Sequence, residues 1–175
     1  MLGRFYKTKF GRAPSLPDPV SHPVASALAG AELTPLHIVS STFPPGGLLP
    51  MAFRYGACNY NPPLQIGGLP TATRSLLVLL EHRNAPIAPR THWICWDLPP
   101  VQNIKENEKR GVQGRNHFLI NGYTGPFCPS EPRRFCIVVL ALRRVLHLPA
   151  GSSCFQAKRI ATSETLAKGE LSFFA

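Results

Sequence analysis

Arg134-Phe-Cys-Ile-Val-Val-Leu-Ala-Leu142 is the stretch that decides the fold. It is an unbroken, β-branched apolar run, which reads as a strand buried on both faces. Ser75-Leu-Leu-Val-Leu-Leu-Glu81 is a second run of this kind. Thr91-His-Trp-Ile-Cys-Trp-Asp-Leu98 is an aromatic third. Working outward, Leu36–Thr42 alternates and reads as a strand, Pro44–Gly47 is a turn cluster, and Arg54–Pro70 reads as an ordered loop. Pro99–Gly114 is polar and reads as an exposed loop. Phe118–Tyr123 is expected to be a short strand, Gly125–Pro132 a proline-rich turn, and Gly169–Phe174 a terminal strand. Ser152–Glu164 reads as a helix capped by Ser152 or Ser153, with Phe155, Ala157 and Ile160 as its apolar face. The expected fold is an all-β sandwich of short strands with one short helix.

Composition supports this. Proline accounts for 19 of the 175 residues and charged residues for only 16%. That balance disfavours a helical bundle, because proline breaks helix interiors. The hydrophobic share of 44% suits a globular chain. No apolar run approaches the roughly 18 residues of a membrane span, so no membrane insertion is expected.

Two parts are expected. Residues 1–32 form a basic, proline-rich arm, and 33–175 form the folded domain. The arm carries Arg4, Lys7, Lys9 and Arg12 among Leu2, Phe5, Tyr6 and Phe10, without the apolar core of a secretory signal. Five cysteines (Cys58, Cys95, Cys128, Cys136, Cys154) are widely spaced with no C-x-x-C, so they read as reduced thiols and the chain as cytoplasmic.

The formal net charge is +10, and 13 of the 19 cations are arginine. Such a balance favours anionic partners. Nucleic acid is disfavoured, because no recognition motif accompanies the charge. Nucleotide-loop, serine-hydrolase and zinc-protease signatures are absent. A hydrolase would have to rest on His92 with Cys128, and no carboxylate is placed to orient the histidine. Neither a metal nor another cofactor is expected.

What remains are histidines, arginines and aromatics at strand ends, where loops on a rigid scaffold build sites. They are Glu81-His-Arg-Asn-Ala-Pro86, Thr91-His-Trp93, Tyr123-Thr-Gly-Pro-Phe-Cys-Pro129 and Pro132-Arg-Arg-Phe135.

With further segments, these resemble the phosphatidylethanolamine-binding protein family in its bacterial Raf kinase inhibitor-like branch, over about residues 33–172. Phe43-Pro-Pro-Gly-Gly-Leu-Leu-Pro50, Tyr55-Gly-Ala-Cys-Asn-Tyr-Asn-Pro-Pro-Leu64 and Pro70-Thr-Ala-Thr-Arg-Ser-Leu-Leu77 are similar to early family motifs. His92-Trp-Ile-Cys-Trp-Asp-Leu-Pro99 is similar to "H-W-V-V-W-N-I-P". Gly114-Arg-Asn116 with Gly122-Tyr-Thr-Gly-Pro126, and then Leu166-Ala-Lys-Gly-Glu-Leu171, follow in the family's order.

The resemblance implies a two-sheet antiparallel Greek-key sandwich with a short helix near the C-terminus, and a small anion pocket at one end of the sandwich. Carried over by motif, that pocket comprises His82, Pro86, His92, Cys128, Pro129, Arg133 and Arg134. His92 stands at the pocket histidine, while Pro86 and Arg134 keep family positions. The acidic motif is lost: His82, Arg83 and Asn84 stand where the family has Asp, Pro and Asp. Arg133 replaces a second histidine, and Phe135 replaces a tyrosine.

A guanidinium at 133 suits phosphate or carboxylate. Alternatively it plugs the pocket, pairing with Glu131 or Glu81. Arg134 is expected to anchor a loop, on Asp97 or Glu81. The implied function is non-enzymatic binding of a small anion, phosphate or a phospholipid headgroup. A protein partner and a homodimer are left open.

Overall fold

The computed structural model describes residues 33–56, 58–85, 89–127 and 131–175. The expected arm, Pro86, Cys128 and Pro129 lie outside the described residues. The fold is mostly β, with two sheets and one short helix near the C-terminus. Its elements are β1 (Thr34–Pro35), β2 (His37–Val39), β3 (Leu64–Gly67), β4 (Ser75–His82), β5 (Arg90–Leu98), β6 (Asn103–Ile104), β7 (Val112–Gln113), β8 (Arg134–Leu142), α1 (Cys154–Glu164) and β9 (Thr165–Phe174). One sheet runs β1-β9-β8-β4-β5-β7 and the other β2-β3-β6.

β4 and β8 pair antiparallel in the middle of the larger sheet, from Ser75↔Leu142 to Glu81↔Cys136. Both are covered on two faces, which is why their sequences are continuously apolar. Leu76, Val78, Leu80, Phe135, Ile137 and Val139 face inward, sharing one core with Ile38, Leu64, Ile66 and Ile104 of the smaller sheet. Leu77, Leu79, Val138 and Leu140 face outward against Ala157 and Ala161 of α1. β9 instead alternates: Ala167, Leu171 and Phe173 enter the inner core, while Lys168, Glu170 and Ser172 fall on the outer face.

Several expectations need correction. The pairing is not wholly antiparallel, since β1 runs parallel to β9. Arg54–Pro70 contains β3. Pro99–Gly114 contains β6, β7 and a buried Glu108, whose carboxylate accepts from the Lys105 and Arg110 backbone N–H groups. Phe118–Tyr123 is no strand. It is a turn organised by the Asn116 side chain, with an isolated bridge between Arg115 and Asn121. The helix cap is Ser153, in a capping box with Gln156. The buried face of α1 is Ala157 and Ala161, and Phe155 is 66% exposed. Small residues let the helix lie close on the sheet, which apolarity alone does not reveal.

α1 crosses the outer face obliquely. Cys154 at its start contacts Thr91 of β5 (Sγ–Oγ1 3.2 Å). The Glu164 carbonyl at its end accepts from the Arg143 N–H just past β8 (2.9 Å). The corner where β8 begins and β9 ends is therefore left outside the helix.

Gly169 marks where β9 meets the chain segment entering β2. A Cβ there would lie 2.6 Å from the Leu36 carbonyl oxygen and from Ile38 Cγ1. Gly169→Ala is expected to cost about 1–3 kcal/mol through overpacking, read as a lower urea midpoint at unchanged slope.

Candidate functional site

His92 owes its position to a register shift. Leu80 pairs with Trp93, but Glu81 pairs with Thr91, so His92 is the extra residue of a bulge in β5. A bulge re-aims one side chain while its neighbours keep their faces. The His92 ring accordingly packs edge-on against Phe135 of the inner face (centroids 5.2 Å apart) and against Phe118 (5.1 Å). His82, from the inner face of β4, packs on the same Phe135 ring at 4.8 Å.

His92 is 4% exposed. Its Nδ1–H donates to the Thr124 carbonyl (3.0 Å), and the Thr124 N–H donates to the His92 carbonyl (2.9 Å). Asn116 completes the knot. Its Nδ2 reaches the His92 carbonyl (3.3 Å), the Gly122 carbonyl (3.0 Å) and Thr124 Oγ1 (2.8 Å). Its Oδ1 accepts from the Phe118 and Ile120 N–H groups. One buried amide thus ties the β5 bulge, the Thr124 strap and the turn that lays Phe118 on His92.

With its proton on Nδ1, the neutral ring leaves Nε2 as an acceptor. Burial, set against hydrogen bonding to the Thr124 and Gly125 carbonyls, lowers the His92 pKa from 6.5 to about 4. His82 is also lowered, by burial first and then by the charges of Arg133 and Arg90.

Arg133 lies at this end but on the surface. Its main chain extends the β8–β9 ladder, exchanging hydrogen bonds with Ala175 (2.8 and 3.0 Å). It does not pair with Glu81, which is held on the outer face by Lys158 and Arg83. Among the described residues, Phe135 and Phe118 cover His92, and Arg133 stands outside them.

Arg134 is elsewhere. Strand alternation turns it to the outer face, where Nη2 donates to Ser172 Oγ (3.3 Å). The expected anchor on Asp97 or Glu81 is not formed. Asp97 accepts instead from the Leu146 and His147 N–H groups (2.7 and 3.1 Å).

The structure therefore brings His82, His92 and Arg133 together and separates Arg134 from them. Asn116 and Phe118 were missed as site residues. The signal for Asn116 lay in the Gly-Arg-Asn motif, whereas nothing local in the sequence marks Phe118. A surface cavity of about 350 Å³ is lined by residues such as Asn59, Tyr60, Lys109 and Tyr123 and by none of the expected site residues among those described. No group of three or more His, Cys, Asp or Glu side chains suited to a metal occurs among the described residues. Nor does any described helix have the length and apolarity to cross a membrane.

Comparison with known proteins identifies the family and the fold. The family model for phosphatidylethanolamine-binding proteins matches residues 39–174. The chain belongs to the phosphatidylethanolamine-binding protein family. It is 34% identical over 145 residues to a UPF0098 protein of Pyrococcus horikoshii, covering 76% of this chain and 73% of that one. A Pyrococcus abyssi UPF0098 protein is 32% identical, with 76% and 81% covered. A crystal structure of a phosphatidylethanolamine-binding protein homolog from Chlamydia trachomatis superposes with a TM-score of 0.76 at 26% identity, over 81% of this chain and 97% of the other. Escherichia coli YbcL shares the fold, with a TM-score of 0.73 at 22% identity over 79% and 96%.

The lowered His92 pKa links stability to pH. Below pH 6.5 the unfolded chain takes up a proton that the folded ring refuses until about pH 4. Stability is therefore complete above 6.5 and falls between 6.5 and 4, by up to ~3 kcal/mol from this residue. Urea unfolding should show this decline already between pH 6.5 and 4.5, and His92→Gln should remove most of it.

Proposed function

We propose that the chain is a non-enzymatic binding protein for a small anion, a phosphate or the phosphate of a lipid headgroup, at the His82–His92–Arg133 end. One observation carries this reading. His82 and His92 pack on the same Phe135 ring, Arg90 is the ladder partner of His82, Arg133 immediately precedes β8, and neither arginine has a carboxylate partner among the described residues. Among the described residues no side chain occupies their guanidinium donors, which suit an oxyanion. His92 Nε2 supplies the complementary acceptor for a protonated ligand oxygen. Modulation of a protein partner belongs to the same proposal.

A hydrolytic role has less support. Burial pushes the Cys95 thiol up to about 12 and the Cys136 thiol up to about 11, and Cys154 is raised as well. A thiol that stays protonated at neutral pH is a poor nucleophile. Cys128, the thiol weighed with His92, lies outside the described residues.

The second reading is an occluded-pocket interaction module. It is favoured by the two phenylalanine rings on His92.

Calorimetry with phosphate and with phosphoethanolamine separates the two. The native chain is expected to bind, Arg133→Ala to bind on the order of tenfold more weakly, and Phe118→Ala at least as tightly as native. Binding by Phe118→Ala alone supports the occluded reading. Binding by none of the three overturns the anion proposal.

A further inference from the structure

The outer-face corner left uncovered by α1 holds a cleft of about 180 Å³ lined by Arg83, Asn84, Arg134, Phe135, Cys136, Glu170 and Ser172. Its placement follows from the fold. Cys136 and Ser172 are ladder partners, and Arg134 is paired with Phe174 one step nearer the end of the sheet. The Glu81–Lys158 pair bounds the corner on the helix side.

The charges are arranged asymmetrically. Glu170 is the acid lining the cleft, and its charge is already committed. It receives both guanidinium nitrogens of Arg83 (2.9 and 2.8 Å), the Lys168 ammonium (2.8 Å) and the Cys136 thiol (3.5 Å). Arg83 also reaches Glu81 (3.4 Å). Counting Arg83, Arg134 and Lys168 against Glu170, with Glu81 and Lys158 cancelling, leaves an excess of about two positive charges. Arg134 faces no carboxylate within salt-bridge range among the described residues, and its one recorded side-chain bond is the long contact with Ser172 Oγ (3.3 Å). Among the described residues most of its fork of donors is therefore unused. Around it stand neutral groups able to share an oxyanion: the Ser172 hydroxyl and the Asn84 amide.

Arg83 adds a guanidinium to the corner, and Asn84 lines it with an uncharged amide, where a carboxylate would repel an anion.

We propose that this cleft is a second binding site, for a small tetrahedral oxyanion of the phosphate or phosphomonoester class, held by Arg134 with Ser172 and Asn84. It lies on the opposite face of the larger sheet from His82, His92 and Arg133 and does not depend on the function proposed for that end. Glu170, tied down by Arg83 and Lys168, forms the back wall.

The test is a phosphate titration of the full chain at constant ionic strength, followed by two-dimensional ¹H–¹⁵N spectra of backbone amides and arginine Nε–H groups. The expected result is saturable shifts at Asn84, Arg134, Cys136 and Ser172. Arg134→Ala and Asn84→Asp should each weaken binding there on the order of tenfold, while Arg133→Ala leaves it unchanged. Both variants alter exposed side chains, and unchanged spectra elsewhere verify their folding. A parallel titration with phosphoethanolamine assigns the source: tighter binding than phosphate indicates a monoester, and weaker binding indicates the free ion. Saturable shifts confined to His82, His92 and Arg133 overturn this proposal and leave the first site standing. Shifts confined to the cleft do the reverse. Unsaturable or absent shifts overturn both.

Discussion

The hydrogen-bond exchange between His92 and Thr124, backed by Asn116, is the constraint on which the candidate site depends. Without the bulge, a residue next to Trp93 would face α1, because strand neighbours alternate. The extra residue breaks that alternation and turns the imidazole toward Phe135 and His82. A ring so placed loses its water. The Thr124 carbonyl replaces one water contact with a fixed acceptor, and the buried Asn116 amide fixes the strap bearing that carbonyl. A buried polar knot is costly when half satisfied and specifying when complete. Among the described residues, no buried side-chain polar atom is left without a partner.

Much of the fold was legible in the sequence, for one physical reason. Strands buried on both faces need unbroken apolar runs, and Ser75–His82 and Arg134–Leu142 have them. The start of α1 was legible to within one residue, Ser152 or Ser153, because a cap is local. What escaped was set by distant partners. Short β6 and β7 exist because β3 and β5 offer them free edges, and their own sequences are polar. Phe118–Tyr123 looks strand-like, yet Asn116 bends it into a turn, giving Leu119 a φ of 63°. The face of α1 was legible in part: Ala157 and Ile160 pack on the sheet as expected, whereas Phe155 turns to solvent and Ala161 signals close approach only by its size.

The site was legible in part. Family-like motifs singled out His92 and the arginines, but treating Arg133 and Arg134 as members of one pocket overlooks the period of two. With Phe135 facing inward, Arg133 belongs to the inner end and Arg134 to the outer face. The three residues at the position of the resembled acidic motif likewise divide between faces: His82 lies against Phe135, while Arg83 and Asn84 line the outer cleft. A change that reads as one altered pocket in the sequence becomes two distinct electrostatic environments in the fold.

The account stands or falls on the state of the His92 ring. Long-range ¹H–¹⁵N spectra of the histidine side chains, recorded from pH 8 to 4, report tautomer and charge directly. The account predicts a neutral ring protonated on Nδ1, holding that state until the pH approaches about 4. A ring that titrates near 6.5, or carries its proton on Nε2 at neutral pH, would contradict it.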